Sequence, residues 1–279
     1  MKQLFIGVFA LVWVVMGGVA WAEPTTITWH GHAAFQIVTP KGTVLMVDPW
    51  LKNPVNPAAK AGDPYAGIDR VDYILLTHGH FDHVGDAVEL AKRTGARLVT
   101  NFELGSNLAK LQGYPKDQMG FDSLFNIGGE IQLADGEITV AMTPAVHSSG
   151  MNNPFADDTE ADIVYGGNPG GFVVQIAGGP TIYDTGDTAY FTDMKLIGKR
   201  FDITLALINI GGHFGMEPEA AAQAVKAVRP RFAVPHHFGT FPVLSENPVA
   251  FARAVKGKAK VLELAPGGTL KFDGDKLIP

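Results

Sequence analysis

The chain has 279 residues, 46% of them hydrophobic, with 22 Lys and Arg against 28 Asp and Glu and no Cys. That length suits one large domain or two small ones, and the acidic balance without a Lys/Arg-rich run argues against nucleic acid as a partner. The lack of Cys excludes disulfides and thiolate metal ligands, leaving the core and any bound metal to hold the fold.

Residues 1–22 read as a targeting segment. Lys2 gives a basic start, Leu4 to Met16 is apolar, and Ala20-Trp21-Ala22 fits a small-x-small cleavage site. The expectation is a signal peptide cut before Glu23, a periplasmic or secreted product with no membrane anchor after cleavage, and one domain over residues 23–279. A retained transmembrane anchor is the alternative for this segment.

Thr25 to Trp29 and Ala33 to Val38 read as strands, followed by a turn at Pro40-Lys41-Gly42 and a buried strand Val44 to Val47 ending at Asp48-Pro49-Trp50. Residues 52–67, with Pro54, Pro57, Pro64, Gly62 and Gly67, read as a long irregular loop. Ile68 to Leu76 leads into Thr77-His78-Gly79-His80-Phe81-Asp82-His83. This stretch holds three of the nine histidines of the chain and a carboxylate at the end of an apolar strand. Imidazole and carboxylate at this density suit zinc, manganese, iron or nickel.

A helix from Asp86 to Arg93 stops at Gly95, a strand covers Ala96 to Thr100, and a second helix covers Glu103 to Leu111. Ile127 to Leu133 and Glu137 to Thr143 form a hairpin around Asp135-Gly136 that delivers His147-Ser148-Ser149. Residues 150–169 read as irregular and carry the acidic run Asp157-Asp158-Thr159-Glu160. The second half repeats strand and helix: strands Gly171 to Ala177, Thr181 to Tyr183 and Ile203 to Ile210, helix Pro218 to Val228, strand Phe232 to Pro235, helix Pro248 to Val255, and closing strands Lys260 to Leu264 and Thr269 to Phe272. The pattern predicts an α/β sandwich of two sheets with helices outside.

Four further polar positions follow apolar strands: His147, Asp187, His213 and the pair His236/His237. With the first motif they can be assembled into two metal sites. His78, His80 and His147 would hold one ion, Asp82, His83 and His237 the other, and Asp187 would bridge, since a carboxylate can span two cations and imidazoles leave positions for water. The His-x-His-x-Asp-His motif, His147, Gly186-Asp187 and His237-Phe238-Gly239-Thr240 resemble the metallo-β-lactamase superfamily. Trp29-His30-Gly31-His32, Val47-Asp48-Pro49, Asn101-Phe102-Glu103 and Asp193-Met194-Lys195 look like its metal-dependent hydrolase branch, related to the L-ascorbate-6-phosphate lactonases. The resemblance covers roughly residues 25–264. It implies a four-layer αββα sandwich, the seven-ligand site and two divalent ions, Zn first, with Mn, Ni or Fe as alternatives.

The expected activity is hydrolysis of a small ester, lactone or phosphodiester by a hydroxide clamped between the ions, with Asp82 and Asp187 in catalytic positions and His213 as the leaving-group acid. The alternatives are a periplasmic metal-binding protein without turnover and a superfamily nuclease. β-Lactamases that use a cysteine ligand are excluded by composition, and Asp187 as a bridge argues against the other β-lactamase subclasses. His236 and His237 end one strand, so one should face the cluster, and the family motif selects His237. His30 and His32 read as buried non-ligands, Asp48 as a hydrogen-bond partner of the His-rich loop. Ser148 and Ser149 lack the Gly-x-Ser-x-Gly context of a nucleophile.

Overall fold

The period-2 alternation of strand side chains sorts the core into layers. In the strand Val44–Val47, Leu45 and Val47 face one apolar cluster while Val44 and Met46 face another. In Leu205–Asn209, Leu205 and Leu207 join the first cluster and Ala206 and Ile208 a third. Strands buried on both faces in this way need a sheet partner on one side and helices on the other.

The computed structural model describes residues 23–156 and 162–279. The predicted signal segment at residues 1–22 and the acidic run at 157–160 lie outside the described residues. In chain order the elements are β1 (Thr25–Trp29), β2 (Phe35–Val38), β3 (Val44–Val47), α1 (Pro57–Lys60), β4 (Tyr73–Leu75), α2 (Phe81–Val84), α3 (Ala87–Thr94), β5 (Arg97–Asn101), α4 (Phe102–Asn107), β6 (Leu124–Phe125), β7 (Glu130–Leu133) and β8 (Ile138–Pro144). There follow β9 (Gly150–Asn152), β10 (Ile163–Tyr165), β11 (Gly170–Ile176), β12 (Thr181–Asp184), α5 (Met194–Arg200), β13 (Leu205–Asn209), α6 (Pro218–Val228), β14 (Phe232–His236), α7 (Val249–Val255), β15 (Lys260–Val261), β16 (Thr269–Asp273) and β17 (Lys276–Ile278).

One sheet runs β17-β16-β1-β2-β3-β4-β5-β6 and the other β15-β14-β13-β12-β11-β8-β7. Ile27, Phe35, Leu45, Phe172, Leu207 and Phe272 are among the side chains packed between them. Leu90, Ala91 and Leu104, from α3 and α4, cover the outer face of the first sheet, and Ile197, Val225 and Phe251, from α5, α6 and α7, cover the second. This is the αββα sandwich. Each sheet has a parallel part, β3-β4-β5-β6 and β12-β13-β14-β15. Parallel strands place their C-terminal ends along one edge, where α/β folds collect ligands. No helix among the described residues is long and apolar enough to cross a membrane.

The predicted elements differ from the observed ones in several places: α1, β6 and α5 fall where no helix or strand was predicted. Phe81–Val84, within the His-rich stretch, is a one-turn helix rather than an open loop. The second predicted helix is α4 continued by a wider π turn over Leu108–Gln112, closed by Gly113 at φ 75°. Residues 150–169 are not wholly irregular, because β9 and β10 pair antiparallel, Met151 opposite Val164. The last predicted strand pair is shifted: β15 ends at Val261, and β17 adds a further edge strand beside β16.

Candidate metal centre

The site is assembled from loops that leave the C-terminal ends of strands. Asp48 follows β3, the His78–His83 stretch follows β4, Asp187 follows β12, and His237 follows β14. His147 comes from the end of the antiparallel strand β8.

His78, His80 and His147 each offer a donor atom within 4.8 Å of the others. His78 Nε2 lies 2.9 Å from His80 Nδ1, and the His147 ring is 5.1 Å from His78 and 5.0 Å from His80. A second group within the same limit is His32, Asp82, His83 and His237. Asp187 stands between the two groups. Its Oδ2 is 3.1 Å from His237 Nε2, 3.4 Å from His83 Nε2 and 3.7 Å from His147 Nε2. Its Oδ1 accepts from Asn209 Nδ2, and Asn209 Oδ1 in turn accepts from the Gly211 amide at 2.9 Å, which fixes the amide orientation. Gly186, at φ 56°, allows this placement: a Cβ there would meet the Gly170 carbonyl at 2.6 Å and Thr77 Cβ at 3.0 Å.

Asp48 orients two of the imidazoles. Its Oδ2 accepts from His83 Nδ1 at 2.7 Å and from Thr77 Oγ1 at 2.6 Å, and its Oδ1 accepts from the Thr77 amide at 2.9 Å. Thr77 Oγ1 is therefore free to accept from His78 Nδ1, 3.0 Å away. Both rings then turn their Nε2 atoms toward the centre of the site, the arrangement of outer partners typical of metal-bound histidine.

The outcome for the other polar residues is mixed. His32 is fully buried but does not lie apart from the site. Its Nε2 is 2.9 Å from Asp82 Oδ2 and its Nδ1 is 2.6 Å from Thr240 Oγ1. An ionised carboxylate only accepts, so Nε2 carries the proton and Nδ1 accepts from Thr240. His30 belongs to neither donor group, and its Nε2 is buried without a hydrogen-bond partner. His236 is buried, 3.7 Å from Asp184 Oδ1 and edge-on to Phe35 at 5.6 Å. His237 diverges from it because the chain turns to φ 64° at the strand end. His213 is exposed, packs on Phe214 at 4.4 Å and belongs to neither donor group, because the Gly211–Gly215 turn carries it outward. Ser149 Oγ accepts from the Gly79 amide at 3.0 Å and donates to Gly166 O at 2.9 Å, which ties the motif to the β9–β10 segment. Ser148 Oγ lies 3.3 Å from His80 Nε2. Asn209 and Thr240 were not singled out from sequence. Their only signals are a polar residue at the end of an apolar strand and a Thr within the family-like His237–Thr240 stretch.

The electrostatics favour positive charge. Burial acts to lower His83 and His237, yet the Asp187 carboxylate, joined by Asp48 at His83, outweighs it; His83 is held well above the usual imidazole range and His237 rises to about 9. Burial acts to raise Asp187 and Asp82, but His237 and His83 around Asp187, and the nearby His237 imidazole with the His32 hydrogen bond at Asp82, hold both carboxyls below the usual range. Burial lowers His78, His80 and His147, and lowers His32 to about 4. Two imidazoles thus hold protons where carboxylates converge, the places a cation fills. His83 Nε2 and both His237 ring nitrogens are buried without a hydrogen-bond partner, so the donor set fits divalent metal.

A four-layer αββα sandwich with His and Asp donors converging at the ends of its parallel strands defines a metallo-β-lactamase-fold hydrolase. Residues 43–238 match the model of the β-lactamase superfamily domain. The chain is 56% identical over 251 residues to a UPF0173 metal-dependent hydrolase of Anaeromyxobacter dehalogenans, covering 89% of this chain and 87% of that one. It is 44% identical over 276 residues to a UPF0173 metal-dependent hydrolase of Thermodesulfovibrio yellowstonii, covering 98% and 100%. The solved structure of a metallo hydrolase from Ignicoccus hospitalis superposes with a TM-score of 0.75 at 34% identity, covering 89% of this chain and 98% of that chain. The chain belongs to the metallo-β-lactamase superfamily, within its UPF0173 metal-dependent hydrolases.

Proposed function

We propose that the protein is an exported hydrolase of small esters, lactones or phosphodiesters that works with two divalent ions, Zn first among Zn, Mn, Ni and Fe. The observation that carries this reading is Asp187 Oδ2, which lies within 3.7 Å of imidazoles from both donor groups. His78, His80 and His147 would hold one ion, and Asp82, His83 and His237 the other, with Asp187 shared. When bound, such ions lower the pKa of coordinated water toward 7 and polarise the attacked oxygen.

The chain's own groups supply orientation. Asp48 keeps the His78 and His83 rings aimed inward, and the Thr240–His32 pair holds Asp82 Oδ2, the oxygen that lies 3.7 Å from His237 Nε2. The resemblance to a branch related to the L-ascorbate-6-phosphate lactonases brings lactones and esters into this range beside phosphodiesters, because the fold by itself does not fix the substrate. The acidic balance of the sequence makes a small molecule a better partner than nucleic acid.

The test is a screen of metal-loaded protein against lactones, esters, phosphodiesters and β-lactams, with Asp187→Ala alongside. Turnover of one class that is lost in Asp187→Ala is expected; metal uptake with no turnover of any class would count against an enzyme of this range. Export is read separately from the native N-terminus. Residue Glu23 as the first residue, in the periplasmic or secreted fraction, is expected, and a cytoplasmic protein beginning at Met1 would overturn it.

A further inference from the structure

Three aromatic side chains meet beside the second donor group. The Trp50 and Phe241 rings stack at 5.6 Å with an interplanar angle of 12°. Phe81 stands edge-on to both, at 5.7 Å from Trp50 and 6.3 Å from Phe241. The buried His32 ring backs the trio, 5.1 Å from Trp50 and 5.8 Å from Phe241. Each ring is carried by a segment that also carries a metal-site residue. Phe81 sits between His80 and Asp82, Trp50 two residues after Asp48, and Phe241 next to Thr240.

We propose that Trp50, Phe81 and Phe241 form an apolar subsite that seats an aryl or alkyl group of the substrate, so that, within the hydrolase reading above, the substrate is a neutral apolar ester or lactone rather than a phosphodiester. Phe81 is 54% exposed in the middle of the metal motif, whereas a Phe serving only the core would be covered. The rings are also held in place. Trp50 lies against Gly85, where a Cβ would approach its Cδ1 to 2.9 Å, and its carbonyl accepts from Asn53 Nδ2 at 2.7 Å. A preformed, partly exposed aromatic surface at a reaction centre binds apolar groups with little ordering cost. Charge points the same way. Lys52, the nearest cation in sequence to Trp50, is turned into a 2.7 Å pair with Asp86, so the substituent seated on the rings is better neutral than anionic.

The test is calorimetric binding of acetohydroxamate, butyrohydroxamate and phenylacetohydroxamate to the metal-loaded full chain, with Phe81→Ala and Phe241→Ala. Acetohydroxamate reports the metal group and serves as the reference within each protein. In the unaltered protein each added methylene should tighten binding by up to about fourfold, the transfer value for a buried CH2, and phenylacetohydroxamate should bind at least about tenfold tighter than acetohydroxamate. The variants should reduce that ratio to below about threefold. A ratio near one in the unaltered protein, an unchanged ratio in both variants, or no binding of any of the three overturns the subsite. Kinetics with acetate and hexanoate esters separate the two readings. Ester turnover without chain-length preference refutes the subsite and leaves the hydrolase reading standing; a retained hydroxamate ratio without turnover of esters, lactones or phosphodiesters keeps the apolar binding surface and refutes the hydrolase reading.

Discussion

At the scale of single residues, the adjacent histidines have opposite surroundings. His237 lies against His32, ring centres 3.8 Å apart at a tilt of 44°, and reaches Asp82 and Asp187, whereas His236 lies against Phe35 and Asp184. His237→Ala should cost about one metal equivalent per chain, and His236→Ala should keep both, as read by elemental analysis after metal loading. The opposite pattern would show that the ligand assignment in this strand is wrong. Asp82 makes the second residue-scale test. Its oxygen is held by His32, which is itself held by Thr240. Thr240→Val and His32→Ala should each weaken one ion by about 10–100-fold, the usual effect of removing an outer partner. A competing chelator measures this without reference to turnover, and unchanged affinity in both variants would make the relay a packing feature only.

At the scale of elements, the backbone is bent where the loops leave the strands. His32, Asp48 and His237 all adopt positive φ, at 52°, 42° and 64°, conformations costing roughly 1–3 kcal/mol each for non-glycine residues. Neighbouring contacts hold them: the His237 amide donates to His32 O at 3.0 Å, and the Asp48 amide donates to Leu75 O at 3.0 Å. Asn101 joins two further elements. Its Oδ1 accepts from the Leu104 amide at 2.8 Å as the cap of α4, and its Nδ2 donates to Asn168 O at 3.3 Å just before β11. Asn101→Ala should lower unfolding free energy by about 1–2 kcal/mol, a capping loss, in a urea titration. A change below a few tenths of a kcal/mol would show that the cap and the tie are replaceable.

At the scale of the whole molecule, the two sheets share one interior, and the site lies on the edge that this interior holds together. Phe172 is fully buried in β11 and stacks toward Phe125 of β6 at 6.4 Å. Phe172→Ala should cost about 3–5 kcal/mol, the range for a large-to-small change in a packed core. Because the site draws His83 from the first sheet and Asp187 and His237 from the second, metal affinity should fall along with stability. Thermal unfolding and metal titration of one preparation check both, and full stability in the variant would refute the shared-core reading.

The local chemistry of the chain was legible in one dimension. Continuous apolar runs gave β3 and β13, the Asp135-Gly136 turn placed β8, the Pro218 start gave α6 with its observed ends, and the density of imidazoles after β4 marked the metal motif. These signals depend on neighbours within a few residues, the range over which propensity and periodicity act. The short strands β9, β10 and β17 escaped because strands of three residues carry little periodic signal. What only the tertiary structure decided is how distant segments meet. His32 and Thr240 are 208 residues apart, and Asp48 and His83 are 35 apart, yet each pair shares a hydrogen bond. The inward turn of His32, the outward turn of His213 and the meeting of Trp50, Phe81 and Phe241 follow from φ values and sheet register. A sequence pattern states which side chains a segment owns, while the packing of two sheets fixes which of them face one another.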